Sequence, residues 1–256
     1  MRIIDVHCHL EREELCHSLD AVIAEAKAAG VAKMISASVE PHLWEFTRNL
    51  ARGRDEVEFT IGLHPWIARP LDDEIIEKLT GAADFGAVAI GEIGLDTMID
   101  SPGLDVQVPA FEAQLAIARD TDMPVVIHVR KAYGELYHSL KKIGLPRAGG
   151  YIHNFTGSAE LARDFMRFDL SFSLGGVITY TRNRKRDSLI RTIYPERFLL
   201  ETDAPDILPL PLRGIPNRPA YIIHALRAAS EILELPEEKV ADQTTANACR
   251  VLRLPV

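Results

Sequence analysis

Cysteine, long apolar runs and excess positive charge are all scarce in this sequence. It has three cysteines in 256 residues and no CxxC pair, which argues against a disulfide framework or a thiolate zinc finger and favours a reducing compartment. No segment approaches the ~20 apolar residues of a membrane-spanning helix, and the N-terminus lacks a signal-peptide core. We therefore predict a cytoplasmic protein with no membrane partner.

The charge balance also restricts the partners. The formal net charge is −8, unlike the broad basic face that many nucleic-acid-binding proteins present. If such a protein acts on phosphate esters, bound cations and a few local arginines must supply the positive field.

Short β-branched runs alternate with amphipathic stretches eight times along the chain. Eight βα units in about 250 residues predict a single α/β domain over residues 1–256, folded as a (β/α)8 TIM-like barrel. An open doubly wound sheet is the alternative, although no GxGxxG motif follows any predicted strand. Apolar stripes predict helices over about 19–29, 108–118, 218–233 and 236–252, the last with Pro236 in its first turn. The predicted strands are Ile3–His7, Lys33–Ser38, Glu58–His64, Ala87–Leu95, Pro124–Val129, Gly149–Phe155, Ser171–Val177 and Arg197–Asp203.

Histidines and carboxylates interrupt these apolar runs at or near the ends of the predicted strands. Each would cost several kcal/mol if it were buried without a partner, and a bound metal ion offsets that cost for all of them together. The C-terminal ends of the strands are also the face on which barrel enzymes keep their active sites. The residues are His7, His9, Glu92, His128, His153 and Asp203.

Around these residues the sequence resembles the TatD family of metal-dependent hydrolases, within the amidohydrolase-like barrels. The matching stretches span residues 5 to about 252 and include DVHCHL, GLHPW, GEIGLD, MPVVIHVRKA, YIHNFTGS, LLETDAP and TTANACRVL. The resemblance implies phosphodiester hydrolysis, notably DNase and 3′-to-5′ exonuclease activity on single strands, with zinc, magnesium or manganese. It also implies one metal ion on His7, His9 and Asp203, a second on His128 and His153, and Glu92 as the bridge.

The chemistry of these residue types agrees with two metal ions. A bridging carboxylate can hold two divalent ions roughly 3.5–4 Å apart, as in two-metal hydrolases. Four imidazoles and two carboxylates favour zinc, manganese or iron over magnesium. We predict Glu92 and Asp203 as the catalytic carboxylates, with Asp203 as the general base that takes a proton from the attacking water.

Other residues could contact the substrate, and each has a plainer interpretation. His64 is predicted to donate to a substrate phosphate or else to brace its loop, and Arg130 to clamp a phosphate or form a surface ion pair. Glu201 could orient a metal ligand or form a structural salt bridge. Trp66 could stack on a base or anchor its loop. The basic stretch 179–186 could guide a polyanion or simply be the solvated start of a helix.

Three functions remain open from the sequence. The leading hypothesis is a phosphodiesterase that acts on single-stranded DNA ends or short oligonucleotides. The alternative is an amide, lactone or acyl-ester hydrolase on the same metals, including an aminoacyl-tRNA deacylase. A non-catalytic metal-binding or scaffolding protein is the third. Departures from the family pattern, with Thr97 and Met98 where an aromatic residue is common and Glu11 where aspartate is usual, bear on the substrate rather than on the metal ligands.

Overall fold

Eight parallel β-strands surround the centre of the protein in a computed structural model, which describes residues 1–181 and 183–255. Each strand pairs in parallel with the next one along the chain, so the order in the sheet is β1 through β8. This order confirms the barrel and excludes the doubly wound sheet, whose strand order reverses at a switch point. The strands are β1 Ile3–Cys8, β2 Val31–Ser38, β3 Val57–Ile61, β4 Ala89–Asp96, β5 Val125–Arg130, β6 Gly150–Ile152, β7 Leu170–Leu174 and β8 Phe198–Leu200.

The join between the last strand and the first differs from the other seven. Beyond the end of β8, the backbone N–H of Asp203 donates to the carbonyl of His7 (2.8 Å), and the N–H of His9 donates to the carbonyl of Ala204 (2.7 Å). The buried side chain of Asp5 fills the join below them. It accepts hydrogen bonds from the backbone N–H (2.9 Å) and hydroxyl (2.5 Å) of Thr202. The barrel is therefore nearly closed, and a carboxylate completes it.

Helices follow the strands and cover the outside of the barrel. The predicted helix over 218–233 is in fact a 3-10 turn at Pro219–Tyr221 followed by a helix from Ile222, and Pro236 lies just before the last helix rather than inside it. The helices are α1 Glu13–Cys16, α2 Leu19–Ala28, α3 Trp44–Ala51, α4 Asp73–Thr80, α5 Ala82–Phe85, α6 Leu104–Thr121, α7 Tyr133–Ile143, α8 Ala159–Met166, α9 Arg184–Ile193, α10 Ile222–Leu233 and α11 Glu237–Leu252, with further 3-10 turns at Pro41–Leu43, Pro65–Ile67 and Gly176–Thr179.

Alternate residues of the strands form two apolar layers. One set packs outward against the helices, and a second set packs inside the barrel with the C-terminal segment of the chain. Asn247 of α11 donates to the carbonyls of Pro195 (2.7 Å) and Phe198 (2.9 Å), where β8 begins. Val251 and Leu254 join the inner apolar cluster. The last helix therefore closes the N-terminal end of the barrel, which leaves the opposite end open for a site.

Several strands end earlier than the apolar runs predict. Strand β6 stops at Ile152 and β8 at Leu200, so His153 and Asp203 lie just past the strands. The chain leaves the extended conformation there, with positive φ at Asn154 (42°) and Asp203 (57°). Strand β3 likewise stops at Ile61, and β7 stops at Leu174.

Among the described helices, none is long and apolar enough to cross a bilayer.

Candidate metal centre

The six predicted ligands converge at the open end of the barrel, around the carboxylate of Glu92. Glu92 lies on β4, which has a register irregularity against β5 between Gly91 and Ile93. Strand β4 approaches β5 closely where Gly94 lies opposite His128. Only glycine fits there, since residue 94 has φ +155° and a Cβ would lie 1.9 Å from the carbonyl oxygen of His128. Gly94 therefore lets β4 lie directly against β5 at His128.

One oxygen of Glu92 faces His128 of β5 and His153, which follows β6. Its Oε1 lies 2.7 Å from Nδ1 of His128 and 2.7 Å from Nε2 of His153. The two imidazole nitrogens lie 3.2 Å apart. One carboxylate oxygen and two ring nitrogens thus point at a common position.

The other oxygen of Glu92 faces strand β1. Its Oε2 lies 3.2 Å from Nε2 of His7 and 4.0 Å from Nε2 of His9. Oδ1 of Asp203 lies 3.8 Å from the same nitrogen of His7 and 3.4 Å from that of His9. The structure therefore brings together two donor groups that share Glu92, one through each of its oxygens.

Hydrogen bonds set the tautomers of two of these rings. Nδ1 of His9 lies 2.9 Å from the carbonyl oxygen of Ala37, which can only accept, so Nδ1 carries a proton. Nε2, beside Asp203, is therefore the nitrogen that would bind a metal ion after giving up its own proton. Nε2 of His128 lies 3.2 Å from Oδ2 of Asp96. If Nε2 donates to that carboxylate, Nδ1 presents its lone pair beside Glu92. Outer partners of this kind orient metal-binding histidines in proteins.

His7 shows that the cluster suits a cation. Its ring is fully buried, and neither nitrogen has a hydrogen-bond partner among the described residues, although Nε2 lies close to Glu92. A buried polar group without a partner costs about 1–3 kcal/mol. A metal ion at Nε2 would remove that cost, so the donor set fits a divalent metal of the zinc, manganese or iron type.

Electrostatics in the cluster favour the same conclusion. Burial raises the pKa of Glu92, but three nearby imidazoles outweigh it and hold the pKa well below its usual range. Burial lowers the pKa of His7 to about 4. Burial also disfavours the charged ring of His153, yet the carboxylates around it, chiefly Glu92, raise its pKa to about 9. Glu92 therefore stays ionised at neutral pH and provides negative charge that a cation requires.

Comparison with known proteins agrees with this geometry. A family profile described as TatD related DNase matches residues 4–253. The chain belongs to the TatD family of metal-dependent hydrolases. It is 33% identical over 253 residues to the uncharacterized metal-dependent hydrolase YabD of Bacillus subtilis, covering 98% of this chain and 99% of that one. It is 31% identical over 255 residues to the 3′-5′ ssDNA/RNA exonuclease TatD of Cronobacter sakazakii, covering 97% of each. The crystal structure of the TatD homologue YjjV of Escherichia coli superposes with a TM-score of 0.92, at 32% identity and 99% coverage of both chains.

The two predicted substrate contacts lie at the same end of this TatD-family barrel. His64 is buried, with Nε2 3.3 Å from Oε1 of Glu92. Arg130 ends β5 with its side chain 53% exposed, and its Nη1 lies 3.8 Å from Oδ2 of Asp96. His64 is thus part of the cluster, whereas Arg130 stands at its rim.

Asp96 and Glu11 also touch proposed ligands, and residue patterns alone did not single them out. Asp96 is fully buried and contacts His128. Glu11 is buried too, with Oε1 3.4 Å from Nδ1 of His9 and Oε2 accepting from the hydroxyl of Ser36 (2.8 Å). Asp96 could have been found as a carboxylate at the C-terminal end of an apolar strand, but the predicted β4 ended one residue before it.

Glu201 supports the turn that carries His153. Oε1 accepts from the backbone N–H of Asn154 (2.9 Å), and Oε2 accepts from the hydroxyl of Ser173 (2.5 Å). Oε2 is 3.9 Å from Nδ1 of His153. Burial raises the pKa of Glu201 to about 8. This carboxylate therefore holds the backbone beside a proposed ligand.

The basic stretch 179–186 leads into α9, which follows β7 and begins on the same face as the cluster. Arg184 and Lys185 are exposed there. Arg186 is partly exposed, and its Nη1 lies 3.3 Å from the carbonyl oxygen of Thr181. Arg182 lies outside the described residues. Both interpretations of this stretch remain predictions.

Proposed function

We propose that this TatD-family protein is a two-metal phosphodiesterase that shortens single-stranded DNA or short oligonucleotides from the 3′ end. One observation carries the proposal. The two oxygens of Glu92 face two separate donor groups, which is the arrangement of a carboxylate that bridges two ions.

The residues divide between two ions as follows. His7, His9 and Asp203 would hold one, His128 and His153 would hold the other, and Glu92 would contact both. When bound, such ions supply Lewis acidity toward a phosphoryl oxygen and acidify water. The imidazole-rich donors suit zinc, manganese or iron better than magnesium.

We assign the proton transfer to Asp203. Burial raises its pKa, but a hydrogen bond from His9 and nearby imidazoles outweigh it, so the pKa of Asp203 lies below its ordinary value. The carboxylate is therefore ionised at neutral pH. Its side chain is 13% exposed, whereas that of Glu92 is 3% exposed. Asp203 is thus the more accessible of these two carboxylates to water and substrate, as suits a general base.

His64 is a hydrogen-bond donor by its tautomer. Its Nδ1 accepts from the backbone N–H of Trp66 (3.2 Å), and burial lowers its pKa to about 4. The ring is therefore neutral, and its single proton is on Nε2, which faces the cluster. A protonated Nε2 cannot be a metal ligand, but it can donate to an oxygen of a substrate phosphate.

The comparisons support a nucleic-acid substrate without specifying it. The profile's description includes DNase, and the Cronobacter sakazakii relative is named as an exonuclease on single-stranded DNA and RNA. Arg130 at the rim supplies a guanidinium that can pair with a phosphate in a bidentate manner.

The test is cleavage of a single-stranded oligonucleotide by protein loaded with manganese or magnesium. The oligonucleotide carries a label at its 5′ end, so removal of nucleotides from the 3′ end produces a descending ladder. We expect that ladder from the wild type, and we expect chelator to abolish it. Asp203→Asn should lower the rate by at least about 100-fold, as is typical when general acid–base catalysis is lost.

Asp206→Asn is the matched control. Asp206 is exposed three residues along the same loop, so this variant makes the same chemical change outside the cluster and should cleave at the wild-type rate. Metal content is measured in parallel for all proteins. Stoichiometric metal without cleavage would overturn the phosphodiesterase and turn the search to amide and acyl-ester substrates.

A further inference from the structure

The two tryptophans of this chain have opposite environments. Trp44 is fully buried, whereas Trp66 is 53% exposed. Exposure of so large an aromatic ring forgoes the stabilisation that its burial would provide. An exposed tryptophan next to a catalytic cluster therefore calls for a ligand.

Trp66 is nevertheless held firmly. Its indole Nε1 donates to Oδ2 of Asp96 (2.9 Å), and its backbone N–H donates to Nδ1 of His64 (3.2 Å). The indole ring also packs edge-to-face on the ring of His64, with centroids 4.8 Å apart. An ordered aromatic face loses little conformational freedom when a ligand stacks on it.

The position of the indole relates it directly to the cluster. The ring of His64 lies 4.5 Å from that of His128. The carboxylate oxygen that accepts from Trp66 is also 3.2 Å from Nε2 of His128. One side chain, either His64 or Asp96, therefore separates Trp66 from a proposed metal ligand.

Asp96 also accepts a hydrogen bond from a second exposed residue. Its Oδ1 accepts from the backbone N–H of Met98 (2.8 Å), and Met98 is 58% exposed. Arg130 approaches the same carboxylate from β5. An aromatic face, a thioether and a guanidinium thus share one rim. This combination suits a flat base joined to a phosphate, since bases stack on aromatic faces and arginine pairs with phosphate.

We propose that Trp66 is the base-stacking subsite of this protein, and that Asp96 is a positioning residue that fixes the indole beside the cluster. The ligand class is a nucleobase whose own nucleotide, or the next one, presents its phosphate to the metal centre. The inference rests on the proposed function, because it names where that substrate's base lies.

The test uses binding rather than cleavage. In a Trp44→Phe background the emission of the protein comes from Trp66 alone. The metal-loaded protein is titrated with a phosphorothioate oligothymidylate, which resists hydrolysis, and with an abasic oligomer of equal length and charge. We expect the oligothymidylate to quench Trp66 and to bind about tenfold more tightly than the abasic oligomer, as one stacked base predicts.

Variants separate stacking from a loop anchor. Binding is measured by the anisotropy of a labelled oligothymidylate. In Trp66→Ala it should weaken about tenfold and no longer differ between the oligothymidylate and the abasic oligomer. In Trp66→Phe it should remain near that of the wild type. Equal binding of the two oligomers by the wild type would overturn the proposal. So would a Trp66→Ala variant that changes only the melting temperature or the oligomeric state.

Asp96 has a separate readout. In the same Trp44→Phe background, Asp96→Ala should lower the steady-state fluorescence anisotropy of Trp66, because the indole N–H loses its acceptor. Asp96→Asn should restore the anisotropy, because the amide oxygen can still accept that hydrogen bond. Asp100→Ala, on the same loop and exposed, should leave it unchanged. Unchanged anisotropy in Asp96→Ala would refute the positioning role. If bases quench Trp66 while no oligonucleotide is cleaved, the subsite stands and the proposed nuclease activity fails.

Discussion

Replacement of Asp5 by alanine should weaken the join between β8 and β1. The fully buried carboxylate accepts from the backbone N–H and the hydroxyl of Thr202 and, at 3.3 Å, from the backbone N–H of His7. Alanine would leave two well-aligned donors without partners. Each buried donor without a partner costs about 1–3 kcal/mol, so we expect a loss of about 4 kcal/mol in the free energy of unfolding.

Asp5→Asn separates the hydrogen bonds from the charge. The amide oxygen can still accept from both backbone N–H groups, and the amide nitrogen can donate to the hydroxyl oxygen of Thr202. The asparagine variant should therefore lose less stability than the alanine variant at every pH. It should also abolish the pH dependence that the carboxylate causes.

The sign of that pH dependence follows from the pKa of Asp5. Burial is the largest cause of its shift and raises it from 3.8 to about 7. An acid whose pKa is higher in the folded than in the unfolded protein stabilises the fold fully at pH values below its pKa in the unfolded state. That contribution is lost as the pH rises through its pKa in the folded state. Between pH 5 and 7 the wild type should therefore lose about 2–3 kcal/mol relative to Asp5→Asn, at 1.36 kcal/mol for each unit.

Thermal melts of chelator-treated protein at pH 5 and pH 7.5 test both parts. With about 2–4 °C for each kcal/mol in a chain of this size, Asp5→Ala should melt at least ~8 °C below the wild type at pH 5. The gap between wild type and Asp5→Asn should shift in favour of the variant at pH 7.5. An alanine variant that melts within 2 °C of the wild type at both pH values, on the order of one kcal/mol or less, would refute the role of Asp5 in closing the barrel.

Three further predictions concern the barrel interior and the cluster. Tyr151→Phe removes the hydroxyl that donates to the carbonyl of Val6 (2.6 Å). It should lower the free energy of unfolding, measured with urea, by about 1–3 kcal/mol. A loss of bound metal instead would show that the effect is not confined to packing. Because His153 has a pKa of about 9, a metal ion must displace its proton, so affinity measured against a chelator dye should rise about tenfold for each pH unit up to that pH; a flat profile would contradict the role of His153 as a ligand. Glu92→Gln should lower the metal content by at least one ion per chain, measured by elemental analysis, and full content would exclude the bridge.

Sequence patterns predicted the architecture because strands buried on both faces are apolar throughout. All eight predicted strands overlap observed ones, yet the ends of β6 and β8 were placed three residues too late. The chain stays largely buried through Phe155 and up to Ala204, whereas the backbone turns away from the sheet near His153 and Asp203. An apolar pattern records burial, and burial continues past the point where strand pairing stops.

The residues that hold other side chains or strands in place, rather than being candidate metal ligands themselves, were the hardest to predict. Asp96 ends β4 in an orientation that depends on the irregularity between Gly91 and Ile93, and simple alternation of side chains does not describe such a strand. Asp5 fills a join between the first and last strands that exists only in the closed barrel. Contacts of this kind depend on the three-dimensional closure of the chain rather than on local spacing.

The sequence could locate the candidate metal ligands but not the substrate, because the two depend on different parts of the fold. Ligands sit at strand ends, whose positions the barrel determines, and a histidine or carboxylate buried there has few stable alternatives to a cation. We expect the substrate to meet the loops instead, where the exposed residues Met98 and Trp66 both donate hydrogen bonds to Asp96. A ligand that covers these two side chains would remove hydrophobic surface from water. The identity of that ligand therefore follows from the shape and charge of this rim, and the stacking experiment on Trp66 addresses it more directly than any further study of the six metal-binding candidates.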